Sequence, residues 1–166
     1  MLAFDTFYAE DSATTVAIQF ENWTDETETH VYKETLTNVA PYVSGQFYKR
    51  ELPCILSLLK QIDLTNCKAI IVDGFVVLDD AGGKGLGGYL YESLEKKTPI
   101  IGVAKNDFAK PFKSKRAVFR GTSKKPLFIT TMGIDLDLAS QHIKKMHGLH
   151  RFPTLLKKVD SLSRVF

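Results

Sequence analysis

A predicted buried strand that ends in a carboxylate is the first place in this sequence where chemistry could occur. Residues 68–74 form a short apolar run, rich in β-branched residues, that closes with Asp73 and Gly74. Such a run, flanked by helical segments, predicts a central strand of an α/β sheet. Ligands of open α/β sheets bind beyond the carboxyl ends of the strands, so Asp73 would face a binding site. Because Asp-Gly also ends strands at ordinary turns, the pattern alone leaves both interpretations open.

Two further acids occupy positions that need an explanation. Asp5 lies in the middle of the first predicted strand, where Asp is disfavoured. If its side chain faces the core, it must be paired, protonated or bound to a metal; if it faces solvent, it has no special role. Glu51 lies where a helix is predicted to begin, because Pro53 is best tolerated in a first turn. An acid at that place could simply complement the helix macrodipole.

The pattern of apolar residues predicts the elements that position these acids. Three leading strands with short polar connections predict an antiparallel meander, and strands and helices then alternate. We predict the remaining elements from apolar runs and from helical spacing. The leading strands cover residues 1–10, 14–20 and 30–36. The later strands cover 68–73, 98–103 and 126–131. The helices cover 51–62, 89–95, 136–146 and 153–162. Together they predict an α/β fold with a mixed sheet flanked by helices.

Size and composition limit the class of protein. A chain of 166 residues with 44% hydrophobic and 25% charged residues is typical of a single globular domain. No apolar run has membrane-spanning length and the N-terminus does not resemble a signal peptide, so we expect no membrane partner. Two cysteines, Cys54 and Cys67, provide neither a disulfide framework nor zinc-ligand spacing. We therefore predict a reduced, cytoplasmic protein.

Charge is distributed unevenly along the chain. Residues 1–40 are acidic, whereas residues 105–125 carry many lysines and arginines against a single acid, Asp107. A basic block attracts phosphate backbones through Coulomb steering and counterion release. A solvated loop whose lysines keep the protein soluble explains the same pattern.

A glycine-rich run offers a different chemistry. Residues 82–88 formally contain G-x-G-x-x-G, but residues 75–81 separate this run from the strand that a dinucleotide signature would have to follow directly. We therefore interpret the run as a flexible loop before a short helix. A small-molecule enzyme that binds a nucleotide through this loop remains an alternative.

Three fragments together resemble the signature segments of the endonuclease V family. They are residues 42–51 (YVSGQFYKRE), 72–74 (VDG) and 99–105 (PIIGVAK), in the family's order and at similar separations. Asp5, in the segment Ala3-Phe4-Asp5, stands where that family has its first strand-borne aspartate. The resemblance extends over most of the chain, with Arg151 to Asp160 resembling later framework segments.

The resemblance implies a ribonuclease H-like fold in which three antiparallel strands are followed by parallel strands, in one domain over residues 1–166. It implies cleavage, dependent on Mg²⁺ (or Mn²⁺), of a phosphodiester near a deaminated base, typically inosine, in DNA or RNA. The catalytic residues would be Asp5, Glu51, Asp73 and Lys105. The three acids would also be the metal ligands, because repelling carboxylates with hard oxygen atoms suit such a cation. We expect a monomer.

The family resemblance also implies a substrate-binding set. Tyr42 would stack where the base leaves the helix, and Gly45 and Gly74 would let backbone amides approach the flipped base. Arg50 would pair with a carboxylate or a phosphate. Two positions depart from the family: Leu78-Asp79-Asp80 stands where the family has a His-Pro-Arg turn, and Met132, in Thr131-Met132-Gly133, stands where the late catalytic histidine belongs. These departures give the main rival interpretation, a relative that binds nucleic acid and has weakened or lost cleavage.

Overall fold

Alternating apolar and polar residues build the antiparallel meander at the start of the chain. The structure is a computed structural model that describes residues 1–9, 11–39, 44–107 and 112–165. Strands β1 (Leu2–Ala9), β2 (Ser12–Gln19) and β3 (His30–Thr37) pair antiparallel with their neighbours along their whole lengths. Alternate residues of β1 enter the two opposite cores of the molecule, so Leu2 and Ala3 belong to different hydrophobic clusters. The predicted meander is confirmed.

Four more strands extend this sheet in the described part of the chain. They are β4 (Ile70–Asp73), β5 (Ile100–Ala104), β6 (Arg116–Val118) and β7 (Leu127–Met132), and the strand order is β3-β2-β1-β4-β5-β7-β6. The pairs β1–β4 and β4–β5 are parallel, whereas β7 is antiparallel to both β5 and β6. The predicted α/β class with a ribonuclease H-like mixed sheet is confirmed, with one correction: the parallel arrangement after the meander stops at β5.

Helices cover both faces of the sheet. Helices α1 (Phe47–Leu59) and α2 (Leu86–Ser93) pack on one face, and α3 (Leu136–Lys145) and α4 (Thr154–Ser163) pack on the other. Ile55 and Leu90 belong to the hydrophobic core on the first face, and Ile143 and Val159 belong to the core on the second. In the described ranges no helix combines the length and apolar character that a membrane crossing requires.

The start of α1 corrects the prediction for Glu51. The helix begins at Phe47, so Pro53 lies inside it and Glu51 lies in its second turn rather than at its N-terminus. Pro53 is exposed, so water can bind the carbonyl that loses its helical donor. Glu51 instead shares the buried stripe of the helix with Cys54, Ile55 and Leu58. Complementing the macrodipole therefore does not explain this acid.

The glycine-rich run is a packed turn and not an open loop. A bridge joins Val77 to Lys84, and α2 already begins at Leu86, three residues before its predicted start. A Cβ atom at Gly85 would lie 2.2 Å from the Phe75 carbonyl oxygen, and one at Gly88 would lie 2.6 Å from the Val76 carbonyl oxygen. These glycines are needed because α2 lies directly on the chain that follows β4. Their backbone faces are filled, which argues against a phosphate-binding loop.

One buried arginine organises the loops beyond β6. Arg120 is only 4% exposed and has no carboxylate partner among the described residues. Its guanidinium group donates hydrogen bonds to five backbone carbonyl oxygens, those of Lys144, Met146, Gly148, His150 and Arg151. A guanidinium has five N–H donors in a fixed fork, so one side chain can fix the whole segment that joins α3 to α4.

Candidate active site

Asp5 and Asp73 lie side by side in one cleft. The parallel register pairs Phe4 of β1 with Val72 of β4, so the next residue of each strand is an aspartate. Both side chains lie on the sheet face that α4 covers, and both line the same cleft. The remaining lining residues are Phe4, Ile71, Val72, Val103, Phe152, Leu156, Val159 and Asp160. The two carboxylates thus lie beside each other where β4 ends, at the edge of the sheet where ligands of α/β sheets bind.

Asp5 is held in place by the last helix. The residue is 7% exposed, and the Ser163 hydroxyl of α4 donates a hydrogen bond to its Oδ2 atom. Burial raises the pKa of Asp5, and the nearby Asp160 raises it further, whereas the Ser163 hydrogen bond lowers it. Asp5 therefore faces the interior, and the solvent-facing alternative is excluded.

Asp73 has a strongly perturbed titration. Its side chain is 40% exposed at the mouth of the cleft. Burial of the carboxyl group among apolar neighbours raises its pKa to about 6; Lys105 opposes this shift, and Asp5 and Asp160 add to it. A carboxyl group with such a pKa, placed in a cleft, is typical of a functional site.

Glu51, on α1, interacts electrostatically with Asp5 and Asp73. The residue is 4% exposed. Burial is the largest cause that raises the pKa of Glu51 well above its ordinary value, and Asp5 and Asp73 raise it further. Every influence on this carboxyl group therefore disfavours its charge. The three predicted acids are close enough to affect one another's protonation.

A metal-ligand set is not assembled in this arrangement of side chains. Within the described ranges, no three His, Cys, Asp or Glu side chains are placed so that they could hold one ion. The donor chemistry nevertheless fits a hard divalent cation, because carboxylate oxygens are the ligands that such cations prefer. A cation would also offset the burial, and the smaller mutual repulsion, that together raise the three pKa values. Metal binding by Asp5, Asp73 and Glu51 stays a prediction.

Lys105 supplies the positive charge of the cleft. Its Nζ atom lies 3.9 Å from Asp73 Oδ2 and 3.6 Å from Asp160 Oδ1, and it lies 4.4 Å from the centre of the Phe152 ring. The Lys105 side chain is 38% exposed, so it can still contact a ligand. The end of β5 thus places an ammonium group between two carboxylates.

Asp160 is a site residue that sequence reasoning placed only in the framework. It lines the cleft from α4, contacts Lys105 and accepts a hydrogen bond from Arg164 Nη2 at 3.0 Å. In the sequence, Asp160 and Arg164 are an ordinary i,i+4 pair on an amphipathic helix. No local signal distinguishes Asp160, because only the docking of α4 on β1 brings it to Asp5.

Arg50 has a different partner from the predicted one. Its guanidinium carbon lies 3.8 Å from the centre of the Tyr8 ring, and no described carboxylate pairs with it. Arg50 Nε and Tyr8 Oη are both buried without a hydrogen-bond partner in the described structure. Among the described residues Arg50 thus pairs with no carboxylate, and its role in substrate binding stays a prediction.

The predicted base-binding positions are open where they are described. Gly45, just before α1, has φ +76°, and Gly74, just after β4, has φ +120°. Non-glycine residues rarely adopt these values. No heavy atom would contact a Cβ at either glycine, so a ligand could approach the backbone closely. Tyr42 lies outside the described residues. The roles of all three stay predictions.

Met132 lies too far from the cleft to change its chemistry. It pairs with Ile100 at the amino end of β5, whereas Lys105 follows the carboxyl end. Its side chain packs in the core formed with α1 and α2. A side chain at this position would lie at the other end of the strand from Asp73. Met132, the position at which the sequence comparison places the family's late histidine, therefore gives no structural reason for lost cleavage.

Other polar residues near the sequence motifs have local partners. Asp79 accepts a hydrogen bond from the Gly83 amide, and Asp80 accepts two from the backbone amides of Lys113 and Ser114. Both acids therefore order loops instead of joining the cleft. His142 stacks on Trp23 at a centroid distance of 4.6 Å, on the α3 side of the molecule.

The three raised pKa values predict how the metal-free protein responds to pH. An acid whose folded pKa exceeds its unfolded value stabilises the fold only at low pH, so this stability is lost as pH rises through the folded pKa. For Asp73 this stability is lost over the pH range from about 3.8, its ordinary pKa, to about 6, its pKa in the folded protein. In chelator, Asp73→Asn should therefore be more stable than the unchanged protein at pH 7, by about 1 kcal/mol, a value reduced for partial exposure. The two should converge near pH 4.

Thermal unfolding across pH 4–8 measures this difference. Asp79→Asn is the matched control, because Asp79 lies outside the cleft. A constant difference between Asp73→Asn and the unchanged protein over this range would contradict the prediction.

The fold and the cleft together define a class of protein. A mixed sheet with three antiparallel strands, two parallel neighbours and carboxylates at their ends is the ribonuclease H-like arrangement. The family model for endonuclease V matches residues 2–161. The chain therefore belongs to the endonuclease V family, a family of nucleases.

Solved structures agree with this fold. Endonuclease V of Ciona intestinalis, crystallised with a 24mer DNA containing an inosine followed by a ribo-adenosine, has a TM-score of 0.77 and 16% identity over 98% of this chain and 83% of that chain. The Bacillus subtilis endonuclease V has a TM-score of 0.75 and 20% identity, over 98% and 77% of the two chains. Human ENDOV has a TM-score of 0.72 and 21% identity, over 98% of this chain and 82% of that chain. No curated protein matches the chain significantly.

Proposed function

We propose that this protein is a metal-dependent endonuclease that cleaves a phosphodiester near a deaminated base, with inosine as the first candidate, in DNA or RNA. The observation that carries the proposal is the cleft in which Asp5 and Asp73, from adjacent parallel strands, meet Lys105. Family membership supports nuclease chemistry at that cleft. The DNA in the Ciona intestinalis structure contains inosine, which supports the choice of base.

Asp5, Asp73 and Glu51 would hold Mg²⁺ or Mn²⁺, and Asp160 lies near enough to support them. When bound, such an ion supplies an activated water and stabilises charge on the phosphate. The pKa values of the three predicted ligands are raised, so cation binding should displace protons from them. Metal affinity should therefore rise between pH 5 and pH 7.

Lys105 would bind a non-bridging phosphate oxygen. Its ammonium group is oriented by Asp73, Asp160 and the Phe152 ring while part of its surface stays open. Preorganised charge of this kind stabilises developing negative charge without reorganisation during the reaction. Asp160 would thus act as a positioning residue for Lys105.

Glu51 would hold or move a proton beside the cleft, from the sheet face that α1 covers. It is buried beside two other acids, and its raised pKa keeps it protonated at a pH where an exposed glutamate is charged. Glu51 could therefore donate a hydrogen bond in one state and accept a proton in the other. Its position on the rigid second turn of α1 fixes the direction of that transfer.

Tyr42, Gly45, Arg50 and Gly74 would contact the nucleotide around the altered base. Gly74 follows Asp73 directly, so a base bound against its open backbone would lie next to the acidic cleft. Arg50 retains a buried Nε donor that a phosphate or base oxygen could satisfy. These contacts would select the base, whereas the acids would cut the strand.

A relative that binds nucleic acid without cutting it is the second candidate. The observation that favours it is the absence, within the described residues, of three ligand side chains gathered around one point. The position of Met132, away from the cleft, removes the other reason for this candidate. The packed glycine turn argues against a nucleotide-dependent small-molecule enzyme.

Strand cleavage distinguishes the two candidates. The protein is incubated with labelled DNA and RNA strands that carry one inosine, and with matched strands that carry guanosine, in Mg²⁺, Mn²⁺ or chelator. We expect one cut near inosine that requires the metal. Retained binding without any cut in either metal would establish the binding-only candidate, and equal cutting of the guanosine strands would refute the choice of base.

A further inference from the structure

The loop between β6 and β7 lies at the same edge of the sheet as the acidic cleft. Val118 pairs with Leu127, and the next residue of β7, Phe128, pairs with Ala104 at the end of β5. Residues 119–125 therefore leave the sheet on the side where Lys105 leaves it. Two strand spacings separate them, which is about 10 Å.

Hydrogen bonds fix this loop to the cleft through the segment before α4. Arg120 holds the carbonyls of residues 144–151, and Arg151 Nη2 in turn donates to the carbonyl oxygens of Lys105 and Pro126. Gly121, with φ +57°, lies so close to Leu149 that a Cβ would be 2.0 Å from the Leu149 carbonyl oxygen. The loop and the end of α3 are thus one ordered surface beside the cleft.

Positive charge on this surface is not neutralised. Lys124 and Lys125 in the loop, and Lys144 and Lys145 at the end of α3, are exposed and have no acidic partner in the described residues. Residues 108–134 and 138–159 contain no Asp or Glu at all. Three other cations of the basic block serve the fold, since Lys115 pairs with Asp107, Arg116 pairs with Asp137 and Arg120 is buried.

An aromatic residue lies in the same loop as two of these lysines, Lys124 and Lys125. Phe119, the residue after β6, is 55% exposed although it adjoins the core residue Val118. An exposed phenyl face beside unpaired cations is the combination that binds single-stranded nucleic acid, in which bases stack on aromatic rings and lysines contact the phosphates. We call Phe119, Lys124, Lys125, Lys144 and Lys145 the basic ledge.

We propose that the basic ledge binds the unpaired strand that extends from the cleft, with its lysines on successive phosphates and Phe119 stacked on a base. This inference rests on the proposed function, and it assigns the single-stranded flank of the substrate to a defined surface. At the stacked spacing of about 3.4 Å per nucleotide, the distance of about 10 Å from Lys105 corresponds to about three nucleotides, and to fewer in a more extended strand. A duplex would leave Phe119 without a base to stack on.

Binding of undamaged oligonucleotides tests the ledge apart from cleavage. Fluorescence anisotropy over a salt series compares the unchanged protein with Lys124→Gln/Lys125→Gln and Phe119→Ala, on a single strand and on its duplex. The matched control is Lys60→Gln/Lys68→Gln, which removes two exposed lysines near the amino ends of the parallel strands. All of these side chains are exposed, and circular dichroism verifies folding.

We expect the ledge double variant to lower the slope of log affinity against log salt by about 1.4 on the single strand, and the control to leave it unchanged. Phe119→Ala should weaken single-strand binding about tenfold and change duplex binding less than twofold. Equal salt slopes for the ledge variant and the control variant would refute phosphate binding by the basic ledge. If Phe119→Ala weakened binding of the single strand and of the duplex equally, base stacking on Phe119 would be refuted. If inosine-containing strands are still cut although the ledge variants bind like the unchanged protein, the proposed function stands and only the ledge proposal is refuted. If the unchanged protein binds no strand, both the ledge proposal and the proposed function are refuted.

Discussion

Asp73→Asn should reduce cleavage of an inosine-containing strand by at least about a hundredfold. The substitution keeps the size of the side chain but removes the charge beside Asp5 and the partner of Lys105. Loss of one preorganised charged group at a reacting centre costs about a hundredfold to a thousandfold in rate. Single-turnover cleavage in saturating Mg²⁺ measures the chemical step directly.

Asp79→Asn serves as the matched control for this experiment. Asp79 is six residues further along the chain, and its one described contact, with the Gly83 amide, survives in asparagine. Its cleavage rate should stay within about threefold of the unchanged protein, on the scale of an ordinary surface change. Titration with Mn²⁺ provides a second readout, because Asp73→Asn should also weaken metal binding. Unchanged cleavage and metal binding in Asp73→Asn would remove the cleft from the mechanism.

The second large effect concerns stability. Arg120→Met should lower the free energy of unfolding by about 3 kcal/mol or more. Methionine fills a similar volume but leaves without donors the carbonyl oxygens that Arg120 binds between α3 and α4. Each buried acceptor left unsatisfied costs about 1–3 kcal/mol, and partial hydration of the loop limits the sum. Chemical denaturation measures the change.

Arg116→Met is the control for Arg120→Met. The Arg116 side chain is 43% exposed and pairs with Asp137 at 2.7 Å, so its loss should cost less than about 1 kcal/mol. Burial lowers the pKa of Arg120, because desolvation disfavours the charged guanidinium group. If Arg120→Met lost no more unfolding free energy than Arg116→Met, water would have to replace the hydrogen bonds of the guanidinium group at little cost, which would contradict the prediction.

Local patterns predicted most of the fold. The meander, β5, β7, α3 and α4 lie within about two residues of their predicted bounds because alternation and helical spacing extend over each whole element. β6 was missed because three residues, Arg116–Val118, are too few to show a period. The α1 start was wrong because exposed Pro53 is tolerated inside the helix. The early start of α2 depends on glycines that pack against Val76, a contact that no local pattern reveals.

The candidate site was predictable to a different degree. Asp73 follows from the strand pattern, and Asp5 is conspicuous as an acid inside an apolar strand. Glu51 carried an unused signal, since it lies three and four residues before Cys54 and Ile55 and thus on the buried stripe of α1. Asp160 and the basic ledge depend on how α4 and the 144–151 segment dock. Tertiary contacts, and not local sequence, decide those positions.

The dependence of the cleft on α4 has a consequence for synthesis. Asp5 lies on the first strand, whereas Ser163, its hydrogen-bond donor, lies 158 residues later on the last helix. A ribosome-bound chain can form the meander early, yet the helix that delivers Asp160 and orders Asp5 emerges after all the other elements described here. A nuclease built in this way stays incomplete until translation of α4 is finished, so prematurely terminated chains should be harmless to nucleic acids. Release of cleavage activity from a series of stalled nascent chains would show a single step, at the length where α4 leaves the ribosomal tunnel.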